Sequence, residues 1–317
     1  MYLIIIIPCL NEEASIGNVL SNLPKEIDGI TNFDILVIDD GSTDNSVKIA
    51  RECGAKVVSH TRNMGVGAAF HTGISEALQL GADIILNMDA DGQFNSNDIP
   101  LLIQPIISGK ADFVTASRFK DKNLIPKMPF MKKWGNKQIA RVISLLVGEK
   151  FYDVACGFRA YSRETALRMN LFGKFTYTQE TFLDLAFKNL RIIEVPVKVR
   201  GVREFGKSRV ASNLWRYAIN TSKIIFRTFR DYKPFVFFSS LALIIFIVAL
   251  GLSAFLAVHY WQTGDFKPHL WAGFSAGFLL GISIVLLITG LLADMLDRIR
   301  RNQERLLYFE KEKRLKK

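Results

Sequence analysis

The 317-residue chain holds only three cysteines, Cys9, Cys53 and Cys156, scattered and without a C-x-x-C pair. Their scarcity excludes a disulfide framework and a thiolate zinc site, and it fits a reduced compartment. No internal repeat or low-complexity tract is visible. The apolar run Leu3–Ile7 is too short for a signal peptide and lacks a basic n-region. The most informative absence is of charge: Asp, Glu, Lys and Arg are missing from Pro234 to Thr263 and again from Pro268 to Ala293. Each stretch exceeds the roughly 20 residues a helix needs to cross a bilayer. Buried core helices of that length normally carry a polar stripe, and these do not.

The charge that is present is unevenly placed. Arg200–Lys233 contains nine basic and two acidic residues, and Asp294–Lys317 contains nine and five, which together account for the net +11. Both blocks flank the apolar stretches, so the excess points to a membrane surface and not to nucleic acid. The short linker Gln262–Lys267 makes the two spans a hairpin, and the positive-inside rule places both termini in the cytoplasm. Residues 213–230 read as an amphipathic helix in the interfacial plane. Leu214, Trp215, Ile219, Ile225, Phe226 and Phe229 fall on one face, and Arg216, Lys223, Arg227 and Arg230 on the other. The expected organisation is a catalytic domain over 1–210, a juxtamembrane helix over 211–232, transmembrane helices at about 234–261 and 268–293, and a basic cytoplasmic tail over 294–317.

The first 200 residues alternate short β-branched runs with helical patterns. Leu3–Ile7, Ile35–Ile38, Lys56–Ser59, Ile84–Met88 and Phe113–Ala116 predict strands. Helices are predicted after Asn11-Glu12-Glu13, after Thr43-Asp44, over Val66–Leu80 and from Asn97 to about Ser108, then over 136–147 and 178–190, with a strand at 192–199. Asp121–Lys137 reads as loop. Strand–helix alternation implies a mostly parallel sheet covered on both faces, with ligands at the carboxyl ends of the strands. The acidic clusters fall at those ends: Asp39-Asp40-Gly41-Ser42, and Asp89-Ala90-Asp91-Gly92-Gln93. Asp89 and Asp91, with the Gln93 carbonyl, suit Mg²⁺ or Mn²⁺, hard cations that bridge phosphates. Asp39 can accept hydrogen bonds from a ribose or base, while Ser42 or Asp44 caps a helix. A haloacid-dehalogenase-type phosphatase would need a DxD on the first strand, which instead ends Pro8-Cys9-Leu10-Asn11-Glu12.

In this order, Ile4-Ile5-Ile6-Ile7-Pro8-Cys9-Leu10-Asn11-Glu12-Glu13, Val37-Ile38-Asp39-Asp40-Gly41-Ser42-Thr43-Asp44 and Asp89-Ala90-Asp91-Gly92-Gln93 resemble the family 2 glycosyltransferases of GT-A fold. Within that family the chain most resembles polyprenyl-phosphate sugar synthases of the dolichol-phosphate mannosyltransferase type, in the subset with C-terminal membrane helices. The resemblance spans about residues 1 to 210. It implies nucleotide-sugar contacts by Pro8, Leu10 (commonly Tyr), Glu12, Val37, Asp39, Asp89, Ala90 and Asp91. Arg118 is implied near the reacting phosphates, with Arg203 and Arg209 (often Lys) on a loop that closes over the donor. Asp91, Arg118, Arg203 and Arg209 are the implied catalytic set. Lys132 and Lys133 stand, with Arg118, where the family binds the acceptor phosphate.

The implied activity is inverting, metal-dependent transfer of one hexose from GDP-mannose or UDP-glucose to dolichyl or polyprenyl phosphate. A phosphate acceptor needs no protein base, so Glu180, where related enzymes carry one, reads as a positioning group or a helix N-terminal charge. The alternative is a membrane transferase with a hydroxyl acceptor. A processive polysaccharide synthase would carry Gln-x-x-Arg-Trp and more spans, and a scaffold with a decayed site would not keep these acids. Expected partners are a nucleotide sugar, a lipid phosphate and the bilayer; a homo-oligomer is left open.

Overall fold

The computed structural model describes residues 1–170, 177–201, 205 and 214–315. Strand β1 (Tyr2–Cys9) shows why the first domain folds as it does: Leu3–Ile7 are all completely buried. Successive side chains of a strand point to opposite faces. Leu3, Ile5 and Ile7 therefore enter one core and Ile4 and Ile6 the other. A strand that is apolar at every position needs cover on both sides, and this one has it.

From β1 the chain runs through α1 (Ile16–Ser21), β2 (Asn32–Asp39), α2 (Ser46–Glu52), β3 (Lys56–Ser59), α3 (Val66–Gln79), β4 (Ile84–Asn87), α4 (Ile99–Ile107) and β5 (Phe113–Ser117). It continues with α5 (Phe130–Val147), β6 (Arg159–Ser162), α6 (Arg163–Arg168), α7 (Thr178–Phe187) and β7 (Ile192–Pro196). The seven strands form one sheet in the order β3-β2-β1-β4-β6-β5-β7. All pairings are parallel except those of β6, which runs antiparallel between β4 and β5. The mostly parallel, doubly covered sheet is the GT-A-like architecture expected.

Three local expectations need correction. Strand β6 and helix α6 were not predicted, because Arg159-Ala160-Tyr161-Ser162 has no apolar run. The segment belongs in the sheet because Arg159, fully buried, gives its guanidinium to the carbonyls of Cys156 (2.7 Å), Thr178 (2.8 Å) and Val154 (2.9 Å). And 121–137 is not loop throughout: α5 starts at Phe130, directly after Pro129, whose φ of −55° leads into the first turn. β7 ends at Pro196, short of the predicted 199.

The chain divides into two compact units, Met1–Ile225 with Leu307–Lys317, and Phe226–Leu306. Helix α8 (Leu214–Tyr232) matches the amphipathic pattern; Ile219 and Phe226 of its apolar face are exposed, while Thr221 and Thr228 are buried. In the second unit, α9 (Pro234–Thr263) and α10 (Leu270–Leu315) pack through small residues. Ser283 donates to the Ala242 carbonyl at 3.0 Å, and a Cβ on Gly290 would stand 3.1 Å from Phe238. Both helices are long and apolar enough to cross a membrane, with Leu, Ile and Phe side chains outward.

The basic segment after Ala293 is not a separate tail but continues α10 to Leu315. Its last turns belong to the first unit. Tyr308 donates to Glu164 at 2.7 Å, and Lys311 reaches the carbonyls of Met169 (3.0 Å) and Leu167 (3.3 Å) at the end of α6. A lysine there satisfies helix-terminal carbonyls that have no intrahelical partner.

Candidate active site

The loops after β1 and β2 are laced together at the carboxyl edge of the sheet. Asn11, in the left-handed region at φ 47°, receives Thr43 N–H at Oδ1 (2.7 Å) and gives its own N–H to Ser42 Oγ (2.9 Å). Glu12 N–H donates to Ser46 Oγ at 2.7 Å, and Ser15 Oγ donates to the Glu12 carboxylate at 3.2 Å. Pro8, Leu10 and Glu12 all lie half-buried along this edge. Gly41 is obligatory: its φ is 83°, and a Cβ would strike the Arg62 backbone at 2.9 Å.

The adjacent acids of β2 divide into two roles. Asp40 is consumed by the scaffold, accepting the N–H groups of Met64 and Gly65 at 2.8 Å each and pairing with His60 at 2.8 Å. Asp39, also buried, accepts Ser42 N–H at 2.9 Å. Val37, expected to meet the nucleotide, is 1% exposed and packs in the core with Ile5, Ile7 and Ala50. Its side chain supports the strand end and presents no open surface to a ligand.

Beyond β4, Asp89 is half-buried, Ala90 buried and Asp91 4% exposed. Asp91 accepts Gln93 N–H at 3.1 Å. Gln93 in turn stitches this turn to the end of the sheet: its side-chain amide donates to Arg200 O at 2.8 Å, and Arg200 N–H donates to Gln93 O at 3.0 Å. Gly201 follows, pressed so closely on the Lys127 carbonyl that no side chain would fit. The segment carrying Arg203 and Arg209 leaves from this point; both arginines lie outside the described residues.

Behind Asp89 sits a support that the sequence did not reveal. A Cβ on Gly157 would lie 3.1 and 3.2 Å from the two Asp89 carboxylate oxygens and 3.1 Å from the Tyr177 hydroxyl. Asn87, fully buried, donates to Gly157 O and to Tyr177 Oη, both at 2.7 Å, and its own Oδ1 has no partner among the described residues. Burial, with the Asp89 charge next, holds the Tyr177 hydroxyl well above its ordinary value, so it stays a protonated donor. The missing side chain at Gly157 keeps the face of Asp89 open.

Arg118, at the end of β5, is gripped by Asp153 in a two-pronged pair, Nε to Oδ2 at 2.6 Å and Nη2 to Oδ1 at 2.8 Å, with Arg118 N–H adding a third contact at 3.0 Å. Asp153 is held by its backbone: its N–H donates to Glu194 at 2.7 Å, beside that of Tyr152. Burial pushes the Glu194 carboxyl up, and these two N–H groups pull it back. Lys132 is half-buried on α5. Desolvation lowers its ammonium, the Arg118 charge adds to the lowering, and the Asp91 charge opposes it. Asp91, Arg118 and Lys132 therefore share one electrostatic neighbourhood. Lys133, the next residue, is exposed, as a 100° helical step requires. Glu180 stands half-buried in the first turn of α7.

Sequence reading missed Asn87, Asp153, Gly157, Tyr177 and Glu194. The only local signal was the compact Asp153–Arg159 cluster, whose purpose depends on partners more than 30 residues away.

Residues 4–168 match the glycosyl transferase family 2 profile, and the chain belongs to that family. Among its relatives, the UDP-N-acetylglucosamine–dolichyl-phosphate N-acetylglucosaminyltransferase of Methanococcus voltae is 39% identical, with 61% of this chain and 84% of the relative aligned. The dodecaprenyl-phosphate galacturonate synthase of Rhizobium johnstonii is 25% identical over 93% of this chain and 87% of its own. The fold is similar to that of glucosyl-3-phosphoglycerate synthase from Mycobacterium tuberculosis, solved with Mn²⁺, UDP-glucose and phosphoglyceric acid (TM-score 0.57, 20% identity, 72% of this chain and 79% of that one).

Proposed function

We propose that this glycosyltransferase moves a single sugar from a nucleotide sugar to a polyprenyl or dolichyl phosphate, with inversion, at a membrane surface. The observation that carries the reading is the pair of acids Asp89 and Asp91 beyond β4 with Arg118, fixed by Asp153, at the end of β5, and the half-buried Lys132 of α5, whose ammonium feels both the Arg118 and the Asp91 charge. Both curated relatives named above act, by their names, on polyprenyl-type phosphates. The half-buried Asp89 and buried Asp91 suit Mg²⁺ or Mn²⁺. Among the described residues no cluster of three acidic, His or Cys side chains exists, and Mg²⁺ ordinarily takes one or two carboxylates and completes its shell with water and substrate phosphates. Such an ion supplies neutralisation of the departing nucleoside diphosphate.

The chain's own residues do the rest. Asp39 offers a carboxylate at the ribose end. Arg118, locked by Asp153, holds phosphate charge in a fixed direction, and Lys132 meets the acceptor phosphate. That phosphate, with a second pKa of about 6, is largely dianionic at neutral pH and attacks without a protein base. Arg203 and Arg209 close over the diphosphate. Both termini and the catalytic domain face the cytoplasm. The sugar is assigned by experiment: membranes carrying the protein are incubated with labelled GDP-mannose, UDP-glucose or UDP-N-acetylglucosamine and a polyprenyl phosphate. One donor should yield a lipid-linked sugar labile to mild acid. Label appearing only in a hydroxyl-linked glycolipid or polymer would refute the reading.

A further inference from the structure

Along α10, residues seven apart turn toward the chain's own packing partners. In the second unit Ser283 bonds to the Ala242 carbonyl, Gly290 lies against Phe238, and Asp297 is buried and paired with Arg300 and Arg301. In the first unit Lys311 reaches the end of α6. About 180° around the helix, at 100° per residue, runs a second row. Up to Ala293, where the charge-free stretch ends, it includes Val285, Ile288 and Leu292, side chains that a bilayer covers. Beyond that point the row continues as Met295, Ile299, Asn302, Leu306 and Phe309. Its spacing alternates three and four without a break, and every member is exposed, Ile299 at 54% and Leu306 at 69%.

The second half of the row stands among Asp294, Arg298, Arg301, Arg305 and Glu310, a stretch too charged to sit in hydrocarbon. An exposed apolar row outside the bilayer calls for a protein cover. A lipid surface suits it poorly, because Glu310 and Glu312 flank the row as well as arginines. Apolar residues repeating every 3.5 positions form the seam of a left-handed coiled coil. We propose that α10 pairs with α10 of a second copy of this chain, parallel and in register, over Met295–Phe309, about 22 Å, with Val285, Ile288 and Leu292 carrying the same seam into the membrane. Two copies inserted the same way present these helices in parallel. In that pairing a flanking residue of one copy meets the residue five positions further on in the other. Arg305 then meets Glu310, Arg298 meets Gln303 and Leu291 meets Leu296, so no like charges are opposed. Glu310 pairs with Arg314 along its own helix, an exposed contact worth little and readily exchanged. Asn302, the one polar member of the seam, meets its own copy only in register and so fixes the alignment. Two heptads alone are marginal, and the membrane part of the row lengthens the contact.

The test uses the full-length chain with the exposed Cys53 changed to Ser, leaving only the buried Cys9 and Cys156, and with single cysteines introduced from Arg298 to Phe309. In membranes, mild oxidation should give disulfide-linked dimers that peak at Ile299→Cys, Asn302→Cys and Leu306→Cys, several-fold above Arg301→Cys and Glu304→Cys. In mild detergent, light scattering should give the mass of two copies for the natural chain. Arg305→Glu and Glu310→Arg should each lower the dimer fraction several-fold, and the two together should restore it. Positions 305 and 310 are not neighbours on one helix, so that rescue reports a contact between copies. Ile299→Glu/Leu306→Glu should be monomeric with unchanged helix content by circular dichroism. Cross-linking that is equal at all positions, or that peaks on another face, would overturn the proposal. So would a monomeric natural chain, whether its seam cysteines react freely with a water-soluble maleimide or are shielded by lipid; the second result would assign the row to the membrane. If Ile299→Glu/Leu306→Glu fails to fold, the cysteine scan and the charge exchange decide alone. None of these measurements depends on which sugar is transferred.

Discussion

Replacing Asp153 by Asn removes one charge from a pair that is almost wholly out of water. Asp153 is 1% exposed and the Arg118 side chain 14%. The carboxylate accepts from Arg118 Nε, Nη2 and N, and from Ala155 N–H at 3.2 Å. An Asn keeps one oxygen but turns an NH₂ group toward donors, so one prong of the fork becomes a donor–donor contact and the guanidinium is left under-compensated. Breaking a buried pair from one side costs about 3–5 kcal/mol, and the retained oxygen places this case near the lower end, about 3 kcal/mol. For a domain of this size that is a fall in Tm of about 6–12 °C. The assay is thermal unfolding of the full chain in detergent, followed by intrinsic fluorescence, for the natural protein, Asp153→Asn, Arg118→Met and the double variant. Most of the loss comes from a stranded guanidinium, so the double variant should recover stability, with a coupling energy of about 2 kcal/mol or more. Sugar transfer should be low in all three, because Arg118 is either absent or misdirected. A single-variant loss below about 1 kcal/mol, or a coupling near zero, would refute the account of Arg118 as a cation positioned by Asp153.

Asp91→Asn should nearly abolish transfer while the protein still folds and enters membranes; undiminished turnover, or full activity in excess chelator, would contradict the metal assignment. Arg203→Ala and Arg209→Ala should lower transfer with little change in Tm, and nucleotide should slow proteolysis between Gly201 and Leu214 in the natural chain but not in the variants. Glu180→Gln should keep a reduced but measurable transfer to polyprenyl phosphate, with no transfer to the corresponding alcohol; a variant as inactive as Asp91→Asn would make Glu180 a base. Arg191 hydrogen bonds hold the Asp112 carboxyl below its ordinary 3.8. The stability this contributes is present above about pH 4 and is lost as pH falls through the depressed value, so Asp112→Asn should flatten the acid limb of a stability–pH curve measured by urea unfolding.

What the chain shows without its fold is what depends on local pattern. Six strands were legible because Leu3–Ile7 and its counterparts are short apolar, largely β-branched runs between turn residues, and such a run is visible without any distant partner. The hairpin of apolar helices was legible because charge is absent over more than a bilayer's thickness. Asp39, Asp89 and Asp91 could be picked out because an acid at a strand end stands at the ligand edge of a parallel sheet whatever the rest of the chain does. Tertiary structure decided everything that depends on meeting a remote residue. Adjacent acids Asp39 and Asp40 look equivalent in sequence, and only the approach of His60 and the Met64–Gly65 backbone assigns Asp40 to the scaffold. Lys132 and Lys133 are likewise a matched pair until the start of α5 at Phe130 sets them about 100° apart, one half-buried and under the influence of the Arg118 and Asp91 charges, the other exposed. Arg159 carries a full charge into the core, which no hydropathy pattern anticipates, because the carbonyls that solvate it come from Val154, Cys156 and Thr178. The mutual dependence of Arg118, Asp153 and Glu194 spans three segments of chain, and it exists only where β5 and β7 lie side by side.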